Sequence, residues 1–278
     1  MEEINQQPTT NCPSCNTPFK GGYCYQCGER LLNQKQRSLG YLFSSLFESF
    51  TDLDGKLWRT LRMFIIQPGK LSLLHFQGVR KKYLKPFTLF LFISIIYFIF
   101  TPISDFNLSL HDQLHWQNYS PWLQAIIESQ LLEMDKSEKE VAESYNLLSP
   151  VISKSLFFIN IPILAIGIIV LNYNKKYVYL DHFIFSLYIN SFIIALPLFV
   201  TPIIYLLETF WPSAPMMIFM VLILGSLLSF LFLSQKNMYQ KSYLNTTFKT
   251  LGLLFFIIIT HFIYRFIQFW ATWWSLDF

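Results

Sequence analysis

The rhythm of apolar positions changes twice along the chain. Residues 1–37 are polar, with no helical or strand-like apolar period. From Ser38, Leu39, Leu42, Phe43, Leu46, Phe47 and Phe50 recur at three- and four-residue spacing, which is one apolar stripe of a helix. Thr51-Asp52-Leu53-Asp54-Gly55 interrupts it, and a second helical stripe runs through Leu57, Trp58, Leu61 and Ile65 with Lys56, Arg59 and Arg62 beside it. Pro68-Gly69 ends that helix. Basic, aromatic-rich helices of this kind lie in the headgroup region of a membrane or pack on the protein's own membrane domain, and the pattern leaves both readings open.

Beyond Lys85 the apolar runs lengthen. Five of them reach the roughly 20 residues that span a bilayer, near 86–104, 151–171, 183–207, 214–234 and 250–270. Pro102, Pro162, Pro197 and Pro202 fall inside them, which membrane helices tolerate when neighbouring groups satisfy the freed carbonyls. With two Cys-x-x-Cys pairs, Cys12/Cys15 and Cys24/Cys27, near its start, the expected fold is mainly α: a polytopic helical membrane protein with about five transmembrane helices and a small N-terminal zinc ribbon. Three regions follow: residues 1–37 as ribbon and linker, 38–85 as interfacial helices and basic juxtamembrane segment, and 86–278 as the helix bundle with an acidic loop at 105–150.

Composition agrees with the pattern. Of 278 residues, 53% are hydrophobic and only 14% charged, against about 25% charged in soluble domains. Mean hydropathy is +0.37. The chain opens Met-Glu-Glu without an early apolar stretch, so no cleavable signal peptide is read. Residues 1–85 hold 12 of the 21 lysines and arginines, and the loops at 172–182 and 235–249 add five more. Because cytoplasmic loops carry such an excess, the N-terminus is expected in the cytosol and the C-terminus outside, with Trp270, Trp273 and Trp274 anchoring the outer interface. Arg80, Lys81, Lys82 and Lys85 then sit just cytosolic of the first span, where anionic lipid headgroups attract them. Leu71, Leu74 and Leu84 are expected to dip into lipid beside them. Loop 105–150 carries eight acidic residues between Asp105 and Glu143. Its second half, Pro121 to about Tyr145, reads as one or two helices capping the bundle.

Candidate chemistry begins with the cysteines, all within the first 28 residues: Cys12-Pro-Ser-Cys15 and Cys24-Tyr-Gln-Cys27. Two such pairs present four thiolates to one tetrahedral ion, and Zn2+ favours that closed, structural site. Asn16 and Gly28 follow the knuckles and tolerate the left-handed turn each needs. Some 25 residues cannot bury a sufficient core, so folding depends on the metal. Only Lys20 and Arg30 flank the knuckles, a weak footprint for nucleic acid.

In the membrane region, Asp181-His182 opens the third span, either as a titrating or ligand-binding pair or as a helix cap with interfacial packing. Asn190 is expected to bond between helices. His261 and Arg265 share one face of the last span, with Glu208 the expected partner of Arg265. His111 and His115, four apart with Asp112 between them, could chelate a metal if a helix forms there, although Asn107 to Leu110 gives no strong helix signal. No nucleophile elbow, phosphate loop or dinucleotide fingerprint is present.

One set of motifs resembles a known family. Gly22-Tyr23-Cys24-x-x-Cys27-Gly28 is followed by Arg59-Thr60-Leu61, Pro68-Gly69, Gly78-x-Arg80-x-x-Tyr83-x-x-Pro86 and several spans. This order resembles the bacterial membrane-protein family catalogued as domain of unknown function 3667, found mostly in Bacteroidota. The resemblance implies the same ribbon-plus-spans fold in a bacterial inner membrane, but no activity. It also implies an acidic-His pair at a later span, which Asp181-His182 matches, with further His residues where this chain has Tyr188 and Asn190. The expected role is non-enzymatic: an adaptor or assembly factor that sits in membrane lipid and recruits a cytosolic protein through its ribbon. Rival readings are a small-solute transporter or channel, and a membrane enzyme acting on lipid.

Overall fold

A computed structural model of the chain describes residues 10–30, 54–100, 107–117, 119–133, 137–210 and 216–276. The stripe expected at 38–50, the 31–37 linker, Asp105 and Met134 lie outside the described residues.

The described elements are two short strands followed by helices. Strands β1 (Thr10–Asn11) and β2 (Pro18–Phe19) pair antiparallel. Helices follow as α1 (Asp54–Ile66), α2 (Lys70–Phe76), α3 (Pro86–Phe100), α4 (Leu110–His115), α5 (Ser120–Glu133), α6 (Glu138–Leu156), a 3-10 turn at Phe157–Ile159, α7 (Asn160–Asn172), α8 (Tyr179–Phe210), α9 (Met216–Tyr239) and α10 (Tyr243–Trp273). Among the described residues, four stretches are long and apolar enough to cross a membrane: Glu138–Asn172, Tyr179–Leu206, Met220–Tyr239 and Tyr243–Trp273. The protein is therefore a mainly α, polytopic membrane protein.

Of the span expected at 86–104, the described part is the helix Pro86–Phe100, 15 residues, and residues 101–104 lie outside the described residues. One span differs from expectation. The span expected at 151 begins at Glu138, because Ser137 and Glu140 form a reciprocal capping box that starts the helix in polar sequence. Near its middle lies the 3-10 turn. Pro162 there supplies no N–H to the carbonyl four residues back and crowds it, and the helix tightens at that point. The helix α8 continues through both Pro197 and Pro202.

Contacts divide the chain into two units. The first comprises Met1–Phe100 with Ala165–Leu254. Its core is aromatic: Phe192 of α8 stacks on Phe230 of α9 at 3.6 Å, and Phe64 of α1 meets Phe230 edge-on at 5.4 Å. Thr60 and Phe64 are thus the buried face of α1, while Trp58, Ile65 and Ile66 are exposed. Leu89, Phe90, Ile93 and Tyr97 make the buried face of α3, which packs along α8. Leu71 and Leu84 are also buried, at 4% and 5% exposure. They do not dip into lipid as expected, because α2 and the turn after it pack on the unit's own helices.

The second unit comprises Thr101–Leu164 with Phe255–Phe278. Its core gathers Leu110 and Leu114 of α4, Leu123, Ile127 and Leu131 of α5, Val141 and Tyr145 of α6, and Phe269 and Trp273 of α10. Trp273 is only 2% exposed and donates its indole N–H to Gln130 at 2.8 Å. It is a core residue, not the interfacial anchor expected, whereas Trp274 is exposed. A buried polar chain crosses this core. Tyr119 donates to Gln113, Gln113 to Gln268 at 3.1 Å and Gln268 to Ser149 at 2.6 Å. Burial pushes the Tyr119 hydroxyl up to about 12 against the lowering pull of Arg265, so it stays a donor.

Chain entry into α2 is a tight point of the first unit. Gly69 adopts φ +78°, and a Cβ there would lie 2.3 Å from the Ser234 carbonyl oxygen of α9. Asn237 of α9 donates to the Pro68 carbonyl at 2.7 Å. Gly69→Ala should therefore combine a backbone clash with left-handed strain and lower thermal stability by at least about 2 kcal/mol. Gly225→Ala on the same α9, where a Cβ meets nothing within 4 Å, should be neutral or stabilising by up to about 1 kcal/mol. Thermal unfolding of the purified protein in one detergent measures both.

Candidate metal centre

The two knuckles fold by the same local rule. In the first, Asn16 N–H donates to the Cys12 carbonyl at 2.8 Å and Cys12 N–H to the Thr17 carbonyl at 2.9 Å. In the second, Gly28 N–H donates to the Cys24 carbonyl and Cys24 N–H to the Glu29 carbonyl, both at 2.8 Å. Closing such a turn takes a left-handed residue, and Asn16 (φ 61°) and Gly28 (φ 67°) supply it. The backbone N–H groups of Thr17 and Glu29 then reach the sulfurs of Cys15 and Cys27.

This equivalence sets the four sulfurs face to face. Cys12 and Cys27 lie 3.5 Å apart, Cys15 and Cys24 3.6 Å, and all four sulfurs fall within 4.8 Å of one another. A tetrahedral ion with ordinary metal–sulfur bonds needs sulfurs about 3.8 Å apart, so the set can hold a metal ion. Hydrogen bonding with the Thr17 side chain and backbone draws the Cys15 thiol down to about 6. At Cys27 the Glu29 N–H acts in the lowering direction, but burial and the other three thiols push it up to about 12. A bound cation would favour the thiolate at both.

The ribbon is docked inside the first unit by Glu29. Its side chain, 3% exposed, accepts the backbone N–H groups of Arg80 at 3.2 Å and Lys81 at 3.0 Å. Those amides lie between α2 and α3 and have no helical partner, so the carboxylate satisfies donors that the turn itself cannot. Beside it, Thr60 of α1 accepts the Leu84 N–H at 2.9 Å while donating to the Lys56 carbonyl at 2.7 Å. Ser14, Cys15 and Cys27 then share an open hollow of about 410 Å³ with Lys56, Arg59, Lys81 and Lys82. A divalent ion on four thiolates would keep two net negative charges, and these four cationic side chains line the hollow beside it.

The other candidates fall as follows. Lys81 and Lys82 are exposed and line that hollow, whereas Arg80 and Lys85 are half-buried. The Asp181 carboxylate accepts the Val178 N–H at 3.0 Å at the start of α8. His182 pairs through Nδ1 with the Tyr239 hydroxyl at 2.8 Å and stacks on that ring. Asn190 donates to the Ser186 carbonyl at 2.9 Å and to its hydroxyl at 3.2 Å, both within α8. These bonds stay inside one helix and do not run between helices as expected; the short amide reaches the carbonyl one turn back. In the second unit, Arg265 donates Nε to His261 at 2.8 Å and a terminal nitrogen to Gln117 at 3.3 Å. The side chain of Glu208, its expected partner, is outside the described residues. Sequence reasoning missed Glu29 and, although it named Lys56 beside the second stripe and Thr60 in a motif, gave neither its role here, since nothing local marks a glutamate after a knuckle as a buried acceptor.

Glu29→Ala should expose the Arg80 and Lys81 amides. Loss of hydrogen bonds to a charged group, about 1.5–3 kcal/mol, corresponds to hydrogen exchange on the order of 10- to 100-fold faster at those two positions. Peptide-resolved exchange on the full chain measures it.

Among known proteins, no curated protein and no solved structure matches the chain. One family model does match, over residues 54–98, the stretch from α1 to α3 that holds Arg59-Thr60-Leu61, Pro68-Gly69 and the Gly78–Pro86 motif. The knuckles and the later spans lie outside the matched residues. Residues 54–98 thus carry the signature of the family described as Protein of unknown function (DUF3667), the family that the motifs resemble.

Proposed function

We propose that this protein is a non-enzymatic membrane adaptor whose cytosolic zinc ribbon recruits a soluble protein and holds it at the bilayer surface. The observation that carries the reading is the Glu29 contact: a buried carboxylate fixes the cysteine module to the segment leading into the first apolar helix. A module that only needed tethering would require no such joint. In this reading the metal is Zn2+, held by Cys12, Cys15, Cys24 and Cys27 in a closed site with no position for a substrate. Ribbon and basic turn face the cytosol of a bacterial cell, as the excess of lysine and arginine in residues 1–85 argues.

The partner surface is the outer side of the second knuckle. Tyr23 and Tyr25 are 60% and 77% exposed there, and Arg30 lies over the Tyr23 ring at 5.4 Å. Tyrosine and arginine are the residues that anchor protein interfaces. Membrane lipid is the second partner. Trp58, Ile65 and Ile66 project from α1 on the side away from its buried face, as an interfacial helix requires.

The test is crosslinking in intact cells from a photoreactive residue replacing Lys20, which is exposed on the ribbon. Wild-type ribbon should give a discrete adduct with a soluble protein. Tyr25→Ala should weaken it at least about tenfold, the scale of one interface anchor, and Cys15→Ser should abolish it together with the thiolate-to-metal absorption of the Co2+-substituted protein. An adduct unchanged in both variants, or no adduct with the metal site intact, would contradict the adaptor reading.

A further inference from the structure

The second unit brings together three metal-ligating side chains that the ribbon does not involve. His111 and His115 stand one turn apart on α4, and Glu138 opens α6. The carboxylate lies between the two imidazoles: Glu138 Oε1 is 3.9 Å from His111 Nδ1 and 3.7 Å from His115 Nε2. The rings are 4.4 Å apart, and one ligand atom from each residue falls within 4.8 Å of the others. These separations are too long for hydrogen bonds. Around a tetrahedral ion, nitrogen and oxygen ligands stand about 3.4 Å apart, so small side-chain rotations close the set.

The helix that carries the two histidines is fixed in place, and one of the ligands is held from behind. Ser109 caps α4 by accepting the Asp112 N–H at 3.1 Å, and its hydroxyl donates to the Asp112 carboxylate at 2.8 Å. This cap corrects the reading of Asn107 to Leu110 as giving no strong helix signal: Ser109 lies within that stretch and is the N-cap. Asp112 is thereby engaged in capping. Asn146 of α6 accepts the Leu110 N–H at 2.9 Å, which ties α4 to the helix that carries Glu138. The Gln124 side chain of α5 lies 2.9 Å from His115 Nδ1. With Nδ1 occupied there, Nε2 is the nitrogen left facing Glu138, an outer partner of the kind that orients a metal-bound histidine.

We propose that His111, His115 and Glu138 form a second metal site that binds a divalent first-row transition ion, Zn2+ foremost. Two imidazoles and one carboxylate suit such an ion and leave at least one coordination position open, unlike the closed thiolate site. The three side chains are partly exposed, at 64%, 39% and 42%, so an ion enters directly from solvent.

The experiment uses the full chain in detergent or nanodiscs, stripped of metal and titrated with Zn2+, with Co2+ as the spectroscopic probe. Cobalt on the four thiolates gives an intense sulfur-to-metal band, and cobalt on His111, His115 and Glu138 does not. Wild type should bind two equivalents of Zn2+. The double variant His111→Ala with His115→Ala should bind one and keep the full thiolate band. Gln124→Ala, which leaves all three ligands in place, should weaken the second equivalent by about 10- to 100-fold. A second equivalent undiminished in the double variant, or wild type binding only the thiolate equivalent, would overturn the proposal.

Discussion

Two backbone N–H groups aimed at one buried carboxylate organise the first unit. A glutamate is almost never fully buried unless its charge is met, and Glu29 is met by Arg80 and Lys81 N–H. The turn from Gln77 to Lys85 runs between two helices; its first N–H groups, of Gln77, Gly78 and Val79, reach carbonyls of α2, and those further on need other partners. Two other elements serve it: the second knuckle at residues 80 and 81 and Thr60 of α1 at residue 84, while α9 grips the chain at Pro68 and Gly69, ahead of α2. Remove the carboxylate and the ribbon loses its seat, while the turn keeps unsatisfied amides. Pro86 can then open α3 at a fixed place, where its missing N–H costs nothing.

The same turn brings charge to the cysteines. Lys81 and Lys82, with Lys56 and Arg59 of α1, line the hollow that Cys15 and Cys27 share. Four thiolates around a divalent ion remain anionic, so the loaded centre attracts the cations that the turn and α1 place beside it. A bound metal and the docking contact would therefore support one another, although Glu29 bonds to backbone and the lysines and arginine act through charge.

Much of this was legible in the sequence, but unevenly. Asn16 and Gly28 stood out because a left-handed position after each knuckle admits few residues, and both adopt it. The apolar runs located the membrane helices because length and hydropathy are local properties. Glu29 and Thr60 were invisible because an acceptor's importance depends on which distant amide reaches it. Leu71, Leu84 and Trp273 were read outward and are buried, since an apolar residue near a membrane surface serves equally in lipid or in a protein core, and only neighbours decide. Residues 138–145 were read as helical, but as part of a cap separate from the span expected from 151: the first turns are polar, so hydropathy passes over them, while Ser137 and Glu140 carry the start of the continuous α6 as a capping box. Asn190 shows the limit for buried polar groups, since its partner is Ser186 on its own helix.

The central claim is that a metal-dependent ribbon is seated on the turn before the first apolar helix. Hydrogen exchange of the full chain, metal-loaded and then chelated, tests it most directly. The account predicts that chelation deprotects the knuckle amides of Asn16 and Gly28 together with those of Arg80 and Lys81. Persistent protection at Arg80 and Lys81 after the knuckle amides have opened would contradict it.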